Sequence, residues 1–277
     1  MTLRRHYLDL DSGRQLHYLR AGAGLPVVLL HPSPLSASFL APLIRLLAED
    51  FDVIAVDTPG YGCSDPLPDP GEDLVPYAQL VGEVLEKLKL DRALVYGNAT
   101  GAQLAIEAAK AHEALIAALV LENAGCFSES EREQLLPDYF PDLSPAEDGS
   151  HLAIAWQVAQ QLYQYFPWYD TSEAARYRET GVSLELVQAT ALAYLQAGTD
   201  YARAYRAAFN NERPEQLAAV AQPVQVILWQ DSMLLPYSRR LQAAGMPENI
   251  QFIEVPAGIE ARYAAVKQAL LAAREVL

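Results

Sequence analysis

The sequence has few cysteines, few positive charges and no long apolar run, and each shortage excludes a class of protein. Two cysteines in 277 residues, Cys63 and Cys126, are too few for a disulfide framework or a cysteine-rich metal site. Twenty Lys and Arg against 35 Asp and Glu give a formal charge of −15. Nucleic acids and anionic membranes both need a positive surface, so we expect neither as a partner. The sequence contains no stretch of 18 apolar residues, so we expect no membrane-spanning helix.

Histidine is also scarce, with five in the chain and none after His151. The first ten residues contain arginines but no apolar run behind them, so we expect no signal peptide and a cytoplasmic protein. What the chain does have is apolar material. Hydrophobic residues make up 51% of it, which is enough to fill a core and excludes intrinsic disorder.

Short apolar runs alternate with helical patterns along most of the chain. Two amphiphilic stretches, Arg4–Leu10 and Gln15–Arg20, flank Asp11-Ser12-Gly13 and predict an antiparallel hairpin. Buried strands are predicted at Pro26–Leu30, Val53–Val56, Ala93–Tyr96, Ala117–Leu121, Val224–Trp229 and Ile250–Val255. Helices are predicted at Leu40–Ala48, Leu74–Leu88, Gly101–Ala111, Pro236–Ala244 and from Glu260 onward. This alternation predicts an α/β fold with a mostly parallel sheet.

Residues 126–212 interrupt the alternation. They have little strand character, several helical stretches, and prolines as punctuation at Pro137, Pro141, Pro145 and Pro167. We therefore predict an α/β core of residues 1–125 and 213–277 with a helical cap, residues 126–212, inserted between its halves. Such an insertion is expected to lie over the carboxyl ends of the strands, where open α/β sheets bind ligands.

The predicted cap has a composition of its own. It holds eight of the 15 tyrosines, four of the seven phenylalanines, two of the three tryptophans and a local charge of −8. The rings suit either the packing of the cap helices or an apolar pocket for a small uncharged ligand. We expect a small hydrophobic or aromatic molecule as partner. Whether the protein is a monomer or a homodimer is left open by the sequence.

Three segments carry a resemblance to a known family. Residues 29–34 (LLHPSP) resemble a strand followed by an oxyanion loop, residues 52–65 (DVIAVDTPGYGCSD) a strand and the turn after it, and residues 95–101 (VYGNATG) a nucleophile elbow. Together they resemble the α/β-hydrolase superfamily, in the cap-bearing branch that includes haloalkane dehalogenases, epoxide hydrolases and C–C hydrolases. The resemblance implies a mostly parallel eight-stranded sheet, flanked by helices, with a helical cap after strand six.

The positions that would carry hydrolase chemistry depart from the family pattern. Ala99 stands where the resemblance implies a nucleophilic serine, and its methyl group cannot attack a substrate. Ile259 stands where the base histidine is expected, and Met233 where the acid is expected. Glu122 occupies the place after strand six that some cap-bearing relatives use for the acid. The sequence therefore predicts a hydrolase fold without a Ser-His-Asp triad.

Other groups remain available for binding. The resemblance implies that the backbone N–H of Thr100 and that of Ser33 form an oxyanion hole, and that His31 braces its loop. We expect the ligand pocket to be lined by His31, Ser33, Asn98, Thr100, Glu122 and Trp156. His151 is the candidate acid or base above the site, although a capping role is the simpler interpretation. No His, Cys or acidic residues occur at a recognised ligand spacing, so we expect neither a metal nor another cofactor.

Three hypotheses follow. The first is an atypical enzyme, such as a lyase, isomerase or dehydratase, that acts on an apolar carbonyl compound with His151 or Glu122 as acid or base. The second is an inactive pseudo-hydrolase that binds a small ligand or a partner. The third, and least favoured, is an ordinary serine esterase. Function does not follow from the fold, so the site has to discriminate between them.

Overall fold

Eight strands form one sheet with helices on both faces in this computed structural model, which describes residues 2–69 and 71–276. The strands are β1 (Arg4–Asp9), β2 (Gln15–Gly22), β3 (Pro26–Leu30), β4 (Asp52–Val56), β5 (Ala93–Asn98), β6 (Ile116–Glu122), β7 (Val224–Trp229) and β8 (Ile250–Val255). The helices are α1 (Ala41–Leu47), α2 (Val75–Lys87), α3 (Thr100–Ala111), α4 (Glu129–Tyr139), α5 (Ser150–Gln161), α6 (Leu184–Ala197), α7 (Ala202–Asn211), α8 (Pro214–Ala218), α9 (Leu235–Ala243) and α10 (Ile259–Ala273). The predicted fold class is confirmed.

The strand order is β1-β2-β4-β3-β5-β6-β7-β8. Only the pairs β1–β2 and β2–β4 are antiparallel, and every other pair is parallel. The sequence pattern placed β3, β7 and β8 at the observed bounds. It ended β5 two residues early, because Gly97 and Asn98 break the apolar run although both still pair with β6.

The two faces of the sheet bury two separate apolar cores. Alternate residues of a strand point to opposite faces, so Val28 belongs to the core beneath α2 and α3, and Val27 to the core beneath α1 and α10. Strands β4, β5 and β6 are buried along their whole length. Burial on both faces explains why these strands are apolar throughout.

Four of the longer helices, α4 to α7, lie between β6 and β7 in the chain. Pro137 does not end a helix as the sequence pattern indicated; it lies inside α4, which continues to Tyr139. Helix α4 begins at a capping box, in which Ser128 accepts from the Glu131 N–H and the Glu131 carboxylate accepts from the Ser128 N–H. Within the described ranges, each helix is too short or too polar to cross a bilayer.

Two glycines allow β5 and α3 to approach each other closely. A Cβ on Gly101 would overlap the carbonyl oxygen of Leu30 in β3, and a Cβ on Gly97 would overlap the backbone of Gly101. Any other residue at either position would push the helix away from the sheet. The start of α3 is therefore held directly against the ends of β3 and β5.

A buried ion pair fixes α10 against the sheet. The guanidinium of Arg262 donates to both carboxylate oxygens of Glu122, at 2.5 and 3.0 Å. Glu122 is fully buried at the end of β6, and Arg262 is 8% exposed. Although burial opposes it, the neighbouring carboxylate raises the pKa of Arg262, so the guanidinium keeps its positive charge in the core.

Replacing Arg262→Met should destabilise the fold by about 3–5 kcal/mol, because it leaves the Glu122 carboxylate buried without its counter-ion. Urea unfolding measures this loss. The double variant Glu122→Gln/Arg262→Met should recover much of it. The matched control is Arg239→Met, whose partner Glu254 and whose own side chain are both 55% exposed, so the expected change is within about 1 kcal/mol. Equal losses in the two single variants would contradict a dominant role for the buried pair.

Candidate functional site

The turn between β5 and α3 has an unusual backbone conformation. Ala99 has φ 50° and ψ −113°, which a residue with a Cβ rarely adopts. The turn is held by the Ala99 N–H, which donates to the Glu122 carbonyl oxygen at 2.9 Å, and by the Ala102 N–H, which donates to the Ala99 carbonyl oxygen at 2.8 Å. Ala99 is only half-buried although its neighbours Asn98 and Thr100 are buried. The strained turn presents a methyl group at the carboxyl edge of the sheet.

Two buried hydroxyl groups follow the ends of the neighbouring strands β3 and β5 and lack a hydrogen-bond partner among the described residues. Ser33, in the loop after β3, and Thr100, the first residue of α3, are 6% and 2% exposed. Neither Ser33 Oγ nor Thr100 Oγ1 has a partner in the described part of the chain. The N–H of Thr100 is also unused by its own helix, because the first N–H groups of a helix have no intrahelical acceptor. Buried polar groups are almost always paired, so these are positions where a ligand atom or a water fits.

His31 braces the loop after β3. Its Nε2 accepts from the Thr58 N–H at 2.9 Å, so its Nδ1 carries the proton and donates to the Pro32 carbonyl oxygen at 3.0 Å. Burial lowers the pKa of His31, against the opposing charge of Asp57. A neutral ring with both nitrogens engaged has no lone pair left for a substrate proton. The contacts therefore favour the structural role over the catalytic one.

The loops after β7 and β8 are joined by a carboxylate rather than by an acid–base pair. Asp231 Oδ2 accepts from the Gly258 N–H at 2.8 Å, and the Trp229 indole donates to the Gly258 carbonyl oxygen at 3.2 Å. Met233 is half-buried against the main core, and Ile259, the first residue of α10, is 46% exposed. Neither Met233 nor Ile259 has a group that can exchange a proton. Asp231 instead fixes the loop that precedes α10.

Glu122 is fully engaged in a polar network. Besides Arg262, it accepts from the Tyr96 hydroxyl at 2.6 Å and from the Asn98 amide at 3.4 Å. Asn123, the next residue, donates to Asn98 Oδ1 at 2.9 Å. Burial, followed by the Glu122 charge, raises the pKa of Tyr96 well above its usual value. The structure thus brings together Glu122 and Asn98 from the predicted set, but as a satisfied network and not as a free acid or base.

His151 and Trp156 lie away from any enclosed position. His151 is near the start of α5, and its Nδ1 accepts from the Ala146 N–H at 3.1 Å in its own loop. Trp156, further along α5, is 38% exposed. The contact of His151 is the local one that a capping role implies.

Glu212 is a chemically distinctive residue that the sequence did not reveal. It follows α7, is 4% exposed, and its Oε2 has no hydrogen-bond partner among the described residues. Burial raises the pKa of its carboxyl group to about 8, and the nearby Arg132 only partly opposes this. The sole sequence signal was its place at the predicted end of the cap. A carboxyl group of this kind is neutral at pH 7 and can donate or accept a proton near neutrality.

Aromatic rings fill much of the contact between the α4–α7 segment and the core. Phe127 stacks on Tyr237 of α9 with ring centroids 4.2 Å apart, and Phe127 also meets Phe209 at 5.4 Å. Tyr205 stacks on Phe209 at 5.5 Å. These rings pack against one another. Of the two interpretations that the sequence left open, this contact favours packing of the helices over the lining of a ligand pocket.

The two cavities resolved in the described residues lie elsewhere. One is lined mainly by apolar side chains of β2, β3, β4, α2 and α3. The other lies between the loop after β4, α2 and α7, with Asp200 and Arg203 in its wall. Neither includes Ala99, Ser33 or Thr100.

Curated relatives match parts of the chain. A soluble epoxide hydrolase from Corynebacterium sp. (strain C12) is 38% identical over 36% of this chain and 35% of its own length. A putative non-heme haloperoxidase of Mycobacterium phage D29 is 27% identical over 75% of this chain and 69% of its own. A 2-hydroxy-6-oxononadienedioate/2-hydroxy-6-oxononatrienedioate hydrolase of Dechloromonas aromatica is 33% identical over 44% of each chain. The match thus spans well under two thirds of the epoxide hydrolase and the Dechloromonas hydrolase.

Solved structures extend the likeness over the whole chain. An enol-lactonase from Burkholderia xenovorans LB400 has a TM-score of 0.72 at 21% identity and covers 98% of this chain and all of its own. A carboxylesterase structure from Nitrososphaera gargenis has a TM-score of 0.76 at 15% identity, with 98% and 100% covered. Identities this low show the fold alone. The model of the alpha/beta hydrolase family matches residues 27–258, which is most of the sequence, and the chain therefore belongs to that family.

Proposed function

We propose that this protein binds a small, uncharged, apolar molecule with a carbonyl-type oxygen at the β5–α3 turn, and that it does not hydrolyse it through a Ser-His-Asp triad. The observation that carries the proposal is that two buried hydroxyls, that of Ser33 in the loop after β3 and that of Thr100 directly after Ala99, have no hydrogen-bond partner among the described residues. Together with the N–H of Thr100 they would supply donors to a ligand oxygen bound at this edge of the sheet. The residues predicted as a cap, 126–212, would cover the ligand.

The negative charge of residues 126–212 supports an uncharged ligand. Residues 126–212 carry a net charge of −8, so an anionic molecule beneath them would be repelled. Phe127, Phe209 and Tyr205 offer apolar ring surface next to the core. A neutral aromatic ketone combines the two requirements of an apolar body and one acceptor oxygen.

Acetophenone should bind to the protein, and benzoate, which has a similar shape and a negative charge, should bind far more weakly. Thr100→Val should weaken acetophenone binding about threefold to tenfold, because it removes one neutral donor. Ligand-observed NMR titration measures both affinities. Ser38→Ala is the control, since Ser38 is exposed in the segment that follows Ser33 and its hydroxyl bonds to that of Ser36. Equal binding of benzoate and acetophenone would contradict the proposal.

A lack of triad chemistry is supported by the side chains at three places, Ala99, Met233 and Ile259. We expect no fluorophosphonate labelling of the protein above that of a denatured sample, measured by intact mass. Ala99→Ser should also stay unlabelled, because neither histidine predicted at the site is free to activate the new hydroxyl: both ring nitrogens of His31 are engaged, and His151 bonds its own loop. Covalent labelling of a pocket serine in the parent protein would restore the esterase hypothesis.

A second candidate function is proton transfer on the bound molecule, and Glu212 is the observation that favours it. The hypothesis of an atypical enzyme relied on His151 or Glu122, but the first bonds within its loop and the second is paired with Arg262. Glu212 has the buried, unpartnered carboxyl group that an acid–base catalyst needs. Its proximity to Phe127, whose N–H donates to the Glu212 carbonyl oxygen, places it beside the aromatic cover.

The protonation of Glu212 predicts a pH-dependent stability. Folding raises the pKa of the Glu212 carboxyl group from 4.5 to about 8. Between pH 4.5 and about 8 the unfolded chain has lost this proton while the folded chain keeps it, so the free energy of unfolding falls as pH increases. A pKa difference of one between the folded and unfolded chain changes the free energy of unfolding by about 1.4 kcal/mol. Glu212→Gln should lack this decline and be more stable than the parent above pH 8, by denaturant unfolding. The exposed Glu215→Gln is the control, with the slope of the parent. A parallel pH dependence of the Glu212→Gln variant and the parent would contradict the assignment.

A further inference from the structure

Three potential metal ligands from distant parts of the sequence meet where β2 lies beside the loop after β4. His17 lies in β2, Asp57 directly follows β4, and Cys63 lies in the loop after it. A ring nitrogen of His17, a carboxylate oxygen of Asp57 and the Cys63 Sγ all lie within 4.8 Å of one another. His17 and Asp57 are buried, and Cys63 is exposed. The cluster is therefore a buried pair of donors with a thiol at its mouth.

The carboxylate is held in place by backbone donors. Asp57 Oδ1 accepts from the Ala37 N–H at 2.6 Å, and Oδ2 accepts from the Cys63 N–H at 2.9 Å. Burial opposes its charge, but these donors and the imidazole of His17, 2.7 Å away, lower the pKa of Asp57 below its ordinary value. The positive φ of Gly62, 57°, and its missing Cβ let the loop wrap around the carboxylate. Asp57 is a fixed negative charge whatever occupies the cluster.

The imidazole of His17 is only half satisfied. Its Nδ1 bonds to Asp57, but its Nε2 is buried and has no partner within the described residues. Buried ring nitrogens without partners are rare, and nothing on the Nε2 side fixes the tautomer of this ring. The ring can offer its Nδ1 lone pair to a cation in place of the hydrogen bond once the Nδ1 proton moves to Nε2.

We propose that His17, Asp57 and Cys63 bind one divalent cation of the zinc class. Imidazole, carboxylate and thiolate are together the donors that zinc takes, whereas magnesium and calcium prefer oxygen alone. A thiolate and a carboxylate neutralise the two positive charges. Zinc bonds of about 2.0–2.3 Å place donor atoms about 3–4 Å apart, so shifts of about 1 Å complete the site. The hydroxyl of the exposed Tyr7, or a water, is available as the fourth ligand.

Binding proceeds with a defined proton balance. The cation replaces the hydrogen bond between His17 Nδ1 and Asp57 Oδ2, and the Nδ1 proton moves to the unpartnered Nε2. The Cys63 thiol gives up its proton to solvent as the metal–sulfur bond forms, so one proton is released for each ion bound. No redox step is involved.

The site also touches α6, a helix of the segment predicted as the cap. Gln196, at the end of α6, donates through its Nε2 to the Gly62 carbonyl oxygen at 2.5 Å and lies 3.8 Å from the Cys63 Sγ. A cation on Cys63 therefore changes the partner of a residue that anchors α6 to the core loop. A bound cation would therefore change the strength of the contact between Gln196 and Gly62.

A calorimetric titration of chelator-treated protein with Zn²⁺, performed in two different buffers, tests the proposal. We expect one ion and one released proton per chain. Cys63→Ser should bind at least tenfold more weakly, and Cys126→Ser, at the half-buried second cysteine, should bind like the parent. Because Cys63 is exposed, its replacement by serine leaves the buried core unchanged.

Co²⁺ provides an independent readout, since a cobalt–thiolate bond gives a charge-transfer absorption in the near ultraviolet. The parent and Cys126→Ser should show the band, and Cys63→Ser should not. Equal Zn²⁺ affinity of the parent and Cys63→Ser, or a Co²⁺ spectrum without the thiolate band in the parent, would overturn the proposal. Neither result depends on what binds at the β5–α3 turn.

Discussion

The fully buried carboxylate of Glu122 is the constraint on which the arrangement of the site depends. A charge with no access to water has to be neutralised and hydrogen-bonded, and here α10 supplies Arg262 while β5 supplies Tyr96 and Asn98. The carbonyl oxygen of the same residue accepts from Ala99 and so holds the strained turn. One residue at the end of β6 thus ties together the central strands, the last helix and the turn.

That constraint also limits the chemistry. An acid that orients a histidine needs a free carboxylate oxygen and a histidine to receive it. Both oxygens of Glu122 are used within the core, Asp231 holds the Gly258 N–H, and the position after Gly258 carries an isoleucine. The strain at Ala99 persists without a nucleophile, because the close packing of β5 and α3 at Gly97 and Gly101 requires the sharp turn whatever its side chain.

Local patterns carried most of the fold. Apolar runs of β-branched residues gave the strands, and their alternation with helical spacing gave the parallel sheet, since both signals depend on neighbours in the sequence. The same signals failed where tertiary packing decides, as at Pro137, which a helix tolerates, and at the end of β5. The residues at the elbow were placed correctly because glycine spacing is itself local. The division into core and cap at residues 126 and 212 stays a prediction.

The chemically distinctive groups of the structure escaped the sequence for a common physical reason. The pKa of Glu212 is raised by burial, and burial is a property of the assembled molecule rather than of any motif. His17, Asp57 and Cys63 are separated by 40 and six residues, a spacing that predicted no metal site, yet the antiparallel pairing of β2 with β4 brings them together. Unpartnered atoms, such as Ser33 Oγ and His17 Nε2, are visible only once every possible partner has been located. Where the candidate triad positions carry Ala99, Met233 and Ile259, such unsatisfied groups are the more informative guide to function, because the structure can tolerate their cost only if something else in their surroundings offsets it.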